Sequence, residues 1–277
     1  MNKGLNGDAV QPVRPIAPYI GGKRALSKRL VAEIDATEHT LYAEPFVGMG
    51  GVFFRRRQRP KKEVINDISA EVVNVFRLLQ RHYQQLLDVM KWQICSRAEF
   101  ERLVGTDPTT LTDLERAARF IYLQRTAFGG KVQGQHFGID RSGSARFDLT
   151  KLVPMLEEVH ERLCGVDIER LPYAKLIERY DRAGALFYLD PPYHGNEEDY
   201  GQGVFSETDF AALSGLLEGI DGRFILSIND TPTIRRLFAR FEIEPVGVNY
   251  RLSGKVTPAK ELIIRGGASI PERKSRA

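Results

Sequence analysis

Asp190-Pro191-Pro192-Tyr193 is the stretch of this chain whose residue types combine most directly into a chemistry. It follows an apolar run, Ala185–Leu189, that reads as a buried strand. Two consecutive prolines end the strand ladder and remove two backbone donors. They stiffen the exit, so a carboxylate, a carbonyl and a flat ring are held at the strand's carboxyl end. In open α/β sheets that edge is where ligands sit. The set suits a planar heterocycle bearing an amino group, with two acceptors for the amine and a face to stack on. A plain proline turn with Tyr193 packed on the core is the competing reading. The whole tetrapeptide behind an apolar strand outweighs it.

Three further stretches point to the same edge. In Tyr19-Ile20-Gly21-Gly22-Lys23 two glycines let the backbone pass close to a ligand, and Lys23 is placed to reach a carboxylate. Thr40–Pro45 reads as a strand, Phe46-Val47-Gly48-Met49-Gly50-Gly51 as a glycine loop, and Val52-Phe53-Phe54 as the opening of a helix. Loop amides before a helix make a docking place for a nucleoside-bearing ligand. The spacing is neither GxGxxG nor GxxxxGK[ST]. Glu63–Asp67 is the next strand, and its terminal Asp67 lies about 20 residues beyond the loop, the spacing at which an acid accepts ribose hydroxyls.

The elements that must position these residues follow from periodicity. A short helix is expected from Ala25 to Ile34 and a single long one from Ile68 to Met90, with Val72, Phe76, Leu79, Tyr83, Leu86 and Met90 on one face. Arg55 to Lys62 holds six basic residues in eight positions. The cluster reads as a solvated helix end on the face away from the ligand edge. Ser96 with Glu99, and Thr112 with Glu115, look like capping boxes. The break in strand–helix alternation predicts a helical insert over 70–165. It closes with an irregular glycine-containing hairpin, in which Arg125, Lys131, Arg141 and Arg146 read either as phosphate contacts on a β-ribbon that enters a major groove or, equally, as a solvated loop. Val166–Leu171, Arg223–Ile228, Phe241–Tyr250 and Glu261–Arg265 read as strands. Tyr173–Tyr180 and segments capped by Ser206 and Thr231 read as helices, and Arg251, Lys255 and Lys260 fall in the loop between the last two strands. The organisation expected is a flexible tail (1–14), a catalytic domain (15–69 and 166–268), the insert (70–165) and a basic tail (269–277).

Composition sets the bounds. The 277 residues, 42% hydrophobic and 27% charged, fit one large domain carrying an insertion. No apolar run approaches the ~20 residues of a membrane span, and Met1–Val13 has no hydrophobic signal core, so no membrane association is expected and a soluble cytoplasmic protein is. Cys95 and Cys164 match no metal spacing and read as inert buried thiols. A net charge of +4 permits a polyanionic partner without demanding one.

Taken in order, Tyr19-x-Gly-Gly-Lys23, Phe46-x-Gly-x-Gly50, Asp67 and Asp190-Pro-Pro-Tyr193, with an insert before the last, resemble the Dam family of DNA adenine-N6 methyltransferases. The resemblance spans about Pro18 to Arg265. It implies a Rossmann-like methyltransferase fold of the α/β class, with a mostly parallel seven-stranded sheet and a target-recognition insert. It implies S-adenosylmethionine as methyl donor, double-stranded DNA as substrate, no metal, a bacterial or phage source, and no required partner endonuclease. Tyr19, Gly22 and Lys23 match the N-terminal cofactor contacts; Phe46, Gly48 and Gly50 match the cofactor loop, and Asp67 the ribose-binding acid. Asp190, Pro191, Pro192 and Tyr193 match the catalytic motif, with Asp190 also near the cofactor. Arg125, Phe128, Lys131, Gln133 and Arg141 fall in the DNA-recognition hairpin. GATC-methylating relatives carry Asn-Gly and then an arginine where this chain has Gly129-Gly130 and Gln133, so the resemblance implies no GATC site. Methylation of a cytosine exocyclic amine or an RNA base is an alternative within the class, and the Asp at the first motif position favours adenine. A nucleotide-binding oxidoreductase is disfavoured by the glycine spacing, and a non-catalytic DNA-binding relative by the intact motifs.

Overall fold

The structure is a computed structural model that describes residues 7–19, 23, 25–127, 134–138, 145–195, 205–252 and 255–267. The elements run β1 (Asp8–Ala9), α1 (Ser27–Ala36), β2 (Leu41–Glu44), β3 (Gln58–Arg59), β4 (Lys62–Asn66), α2 (Ala70–Arg81), α3 (Tyr83–Met90), α4 (Arg97–Gly105), α5 (Asp113–Thr126) and α6 (Leu149–Leu163). Then follow β5 (Asp167–Glu169), α7 (Tyr173–Tyr180), β6 (Ala185–Leu189), α8 (Glu207–Glu218), β7 (Arg223–Asn229), α9 (Pro232–Leu237), β8 (Glu242–Leu252) and β9 (Lys255–Gly267). Seven strands form one sheet in the order β5-β4-β2-β6-β7-β9-β8. Its first five strands are parallel, and β9 and β8 join antiparallel. This is the mostly parallel seven-stranded architecture expected of a Rossmann-like methyltransferase fold.

Every residue of β6 is buried, because a central parallel strand is covered on both faces. Period-2 alternation divides the core. Tyr42, Ile65, Leu186, Tyr188, Ile225 and Ile263 pack on one face, and Leu41, Ala43, Val64, Phe187, Leu189 and Leu226 on the other.

Several expectations are corrected. The helix expected after the glycine loop is one 3₁₀ turn, Phe53–Arg55, which leads into the short strand β3. Its basic cluster is only partly a solvated face: Arg57 and Lys61 are exposed, but Arg56 turns inward. Arg56 is fully buried, lies 3.6 Å from the Tyr42 ring centroid and donates to Glu63 at 2.7 Å. Arg162 from the end of α6 donates to both oxygens of the same Glu63 at 2.7 Å, and Arg59 adds a bond at 3.0 Å. One carboxylate thus gathers three guanidiniums that would otherwise repel. The tail is tied down from Asp8 onward, where β1 pairs with β3, and Val13 is buried. The long helix breaks at His82, whose backbone (φ −132°, ψ 38°) leaves the helical region. Tyr83 then stacks on His160 of α6 at 5.0 Å, so α3 turns toward the rest of the insert. The last two strands extend into a hairpin that takes in Arg251, Lys255 and Lys260, and Cys164 is exposed rather than buried.

Helices α2 to α6 lie between β4 and β5 in the chain. The Thr112 capping box forms in full, and Ser96 accepts from the Glu99 amide. The Tyr122 hydroxyl pins the α3–α4 turn through Ile94 and Ser96 carbonyls at 3.0 and 3.1 Å. At the end of α5 an isolated bridge pairs Ala127 with Phe137, and Gly138 donates to the Thr126 carbonyl at 2.8 Å. These mark the root of the expected hairpin. Phe128, Lys131, Gln133 and Arg141 lie outside the described residues, as does Gly22.

Candidate active site

The site sits at the carboxyl ends of β2, β4, β6 and β7, where the parallel strands run out together. Asp190 follows β6 directly, and Pro191 and Pro192 are buried behind it. Lys23 is 2% exposed, although lysine is rarely buried without a partner. Its partner is Asp190, with Nζ 2.5 Å from Oδ1. The same Nζ donates to the Tyr193 hydroxyl at 2.9 Å and lies 4.3 Å from that ring's centroid. The ammonium therefore closes the tetrapeptide on itself, tying its first residue to its last. This places Lys23 against the acidic-aromatic motif.

The Asp190 carboxylate stays 21% exposed. Burial pushes it up to about 6, against the opposing pull of Lys23. Burial, then the Asp190 and Glu261 charges, hold the Tyr193 hydroxyl far above its ordinary value, so it keeps its proton and donates. It donates to Glu261 Oε1 at 2.6 Å.

The glycine loop forms the neighbouring wall. Gly48 has φ +50°, and a Cβ there would sit 2.9 Å from Tyr19 Cδ1, so the ring lies directly on the loop and only glycine fits. Gly50 has φ +70°, and its missing Cβ makes room for Phe54. Phe46 is half-buried against Tyr173 and Phe205, with centroids 5.5 and 5.9 Å away. Asp67 accepts from the Gly48 and Ser69 amides at 2.9 Å each. Burial nevertheless lifts its carboxyl to about 6. Its placement is stitched by Asn66, whose buried amide donates to the Pro45 and Leu171 carbonyls at 2.9 and 3.0 Å and accepts from the Leu171 amide at 2.8 Å.

Tyr19, Lys23, Phe46, Gly48, Gly50, Asp67 and Asp190–Tyr193 thus converge on one sheet edge, as their order in the chain predicts. Arg125 stands apart from them at the hairpin root. Its guanidinium donates to the Ile16 carbonyl at 2.6 Å and to the Arg146 carbonyl at 3.3 Å, which fastens the hairpin to the segment leading to Tyr19. Four residues of the site escaped the sequence reading: Glu44, Asn66, Asn229 and Glu261. Glu44, 2% exposed beside the Asp190 strand, accepts from Tyr42 at 2.6 Å, and burial pushes it up to about 8. A buried acid at a strand end was the available signal. Among the described residues no group of three His, Cys, Asp or Glu side chains is placed to hold a metal ion, and no helix is long and apolar enough to cross a membrane.

A parallel sheet with a glycine loop, a ribose-spaced acid and an acidic-aromatic exit on one edge defines the class of S-adenosylmethionine-dependent amino-methyltransferases. The chain belongs to the D12 class N6 adenine-specific DNA methyltransferases, whose family model matches residues 19–252. It transfers a methyl group from S-adenosylmethionine to the exocyclic amine of adenine in DNA. It is 25% identical over 228 residues to the type II methyltransferase M.CviBI of Paramecium bursaria Chlorella virus NC1A, covering 82% of this chain and 86% of the relative. It is 25% identical over 269 residues to M1.LlaDCHI of Lactococcus lactis subsp. cremoris, covering 88% and 93%. The DNA N-6-adenine-methyltransferase of Escherichia phage P1 is also 25% identical over 269 residues, covering 87% of this chain and 33% of the relative.

Proposed function

We propose that this enzyme acts on double-stranded DNA at a fixed short sequence, flips the target adenine out of the helix, and presents its amine to the donor through Asp190-Pro191-Pro192-Tyr193. The observation that carries the reading is the Lys23 clasp on Asp190 and Tyr193 next to the Tyr19–Gly48–Asp67 wall. The two half-sites share one edge, so a base on the first meets a donor on the second. An adenine inside a duplex is out of reach of such an edge, and extrusion answers that.

When bound, S-adenosylmethionine supplies an electrophilic methyl on a positively charged sulfur. The residues present fit it: Asp67 faces the loop to take ribose hydroxyls, and Tyr19, Phe46 and the Gly48 backbone form the wall. The Tyr193 ring stacks on the base. The Asp190 carboxylate and the Pro191 carbonyl accept from the amine, which aims the nitrogen lone pair and stabilises positive charge as it develops there. An acid raised to about 6 is a stronger proton acceptor than an ordinary carboxylate, which suits the nitrogen's loss of a proton after transfer. The insert would carry target recognition, with Arg125, Phe128, Lys131, Gln133 and Arg141 on its hairpin, and Arg125 bracing the root.

Expression in a methylation-free host with base-resolved modification mapping tests this reading. The expected result is N6-methyladenine at one short motif. Modified cytosine, or adenine modified without sequence preference, would overturn it. The pH dependence follows as well. Asp190 can take the amine's proton only when ionised, so kcat/KM is expected to fall about tenfold per unit below pH 6. The bound sulfonium favours the carboxylate, so the kcat limb should break at lower pH than the kcat/KM limb. Coincident limbs would place Asp190 out of reach of the donor.

A further inference from the structure

One rung of the β7–β9 ladder holds the far end of the tetrapeptide. Asn229 and Glu261 are Cα partners across that pair. The Asn229 side chain grips the backbone of His194, accepting from its amide at 2.9 Å and donating to its carbonyl at 3.0 Å. Glu261 accepts the Tyr193 hydroxyl proton at 2.6 Å. The rung therefore binds Tyr193 at its hydroxyl and, one residue on, at the main chain. Glu261 is 1% exposed, and among the described residues its second oxygen, Oε2, meets no hydrogen-bond partner. A carboxylate so poorly supported is a poor choice for stability alone, since an apolar residue there would avoid the desolvation. Meanwhile the Tyr193 ring remains half-buried rather than packed away. A ring with its hydroxyl anchored and part of its surface still exposed is preorganised for stacking.

We propose that Asn229 and Glu261 are positioning residues that preset the orientation of Tyr193 before the base arrives. This rests on the stacking role given to Tyr193 above. With the hydroxyl held between Lys23 and Glu261, the ring cannot swing about its side-chain bonds, and its orientation is fixed in advance of binding. Glu261 acts here through one acceptor oxygen, so an amide oxygen should serve in its place.

The test compares Glu261→Gln, Glu261→Ala, Tyr193→Phe and the double variant Tyr193→Phe/Glu261→Ala in the full chain, on duplex DNA carrying the mapped motif. Glu261→Ala and Tyr193→Phe should each lower kcat about 10- to 100-fold, the scale expected when a reacting group is misplaced by about 1 Å. The dissociation constant for S-adenosylmethionine, measured without DNA by calorimetry, should stay within about threefold. Glu261→Gln should recover most of the rate. The double variant should be no slower than the worse single, because both remove the same bond. Losses that multiply in the double variant, or a Gln variant as slow as the Ala variant, would overturn the inference while leaving the enzyme an adenine methyltransferase. A wild-type protein that transfers no methyl group to adenine in duplex DNA would instead overturn the underlying reading, and this one with it.

Discussion

Asp190→Ala abolishes methyl transfer while cofactor affinity stays within about tenfold, roughly 1.4 kcal/mol; this is the largest effect expected on activity. Among the described residues that directly follow β6, this carboxylate is the one charged acceptor presented to an incoming amine. Losing an acceptor aimed at developing charge lowers turnover by about 10²–10³, and losing the proton acceptor adds to that. Alanine has a second consequence, since Lys23 is 1% exposed at its side chain and would lose its carboxylate partner. Removing one partner of a buried ion pair costs about 3–5 kcal/mol. Asp190→Asn separates the two effects. It keeps an oxygen for Lys23 and the shape of the site but withdraws the negative charge, so turnover should collapse with a smaller loss of stability. Single-turnover methylation, isothermal calorimetry with S-adenosylmethionine and thermal melts read the three quantities. Turnover that survives in the asparagine variant would remove the Asp190 charge from the chemistry.

Glu63→Ala should produce the largest loss of stability away from the site. Glu63 is 2% exposed and is the shared acceptor of Arg56, Arg59 and Arg162. Burial alone would raise its carboxyl. The bonds from Arg162 and the charge of Arg56 outweigh that and hold it below the usual carboxylate range. Its folded value is thus depressed, so its stabilisation is present above the unfolded value and fades as pH falls through the folded one. Removing it leaves Arg56 and Arg162 buried with like charges and no anion. A loss of about 3–5 kcal/mol is expected, or roughly 6–20 °C in Tm for a chain of this size. Replacing Glu63, Arg56 and Arg162 together by methionine should lose far less, because none of these three buried charges then remains. Calorimetric melts of the two variants decide the matter. A Glu63→Ala protein that melts with the wild type would show that the arginines find water or other partners.

That triad shows how far composition and pattern reach. Six basic residues in eight positions look solvated when read as a string, because lysine and arginine are seldom buried. Arg56 is buried because it meets Glu63, 7 residues along the chain, and Glu63 in turn meets Arg162, 99 residues further on. The Glu63 position is inside a strand, where an inward acid is visible only as an interruption of an apolar run. The break of the long helix at His82 is equally silent, since its apolar spacing continues without proline or glycine through Met90.

The sequence by itself determined the five parallel strands, the loops at their carboxyl ends, and the identity of the acidic-aromatic exit. These depend on local chemistry: apolar runs form strands, glycines admit positive φ, and prolines stop a ladder at the residue where they occur. Only the tertiary structure decided who holds that exit in place. Lys23 reaches Tyr193 across 170 residues and Glu261 reaches it across 68. Those pairings depend on which strands become neighbours and in what register, because a hydrogen bond of under 3 Å is set by where the sheet brings two side chains, and no spacing along the chain encodes it.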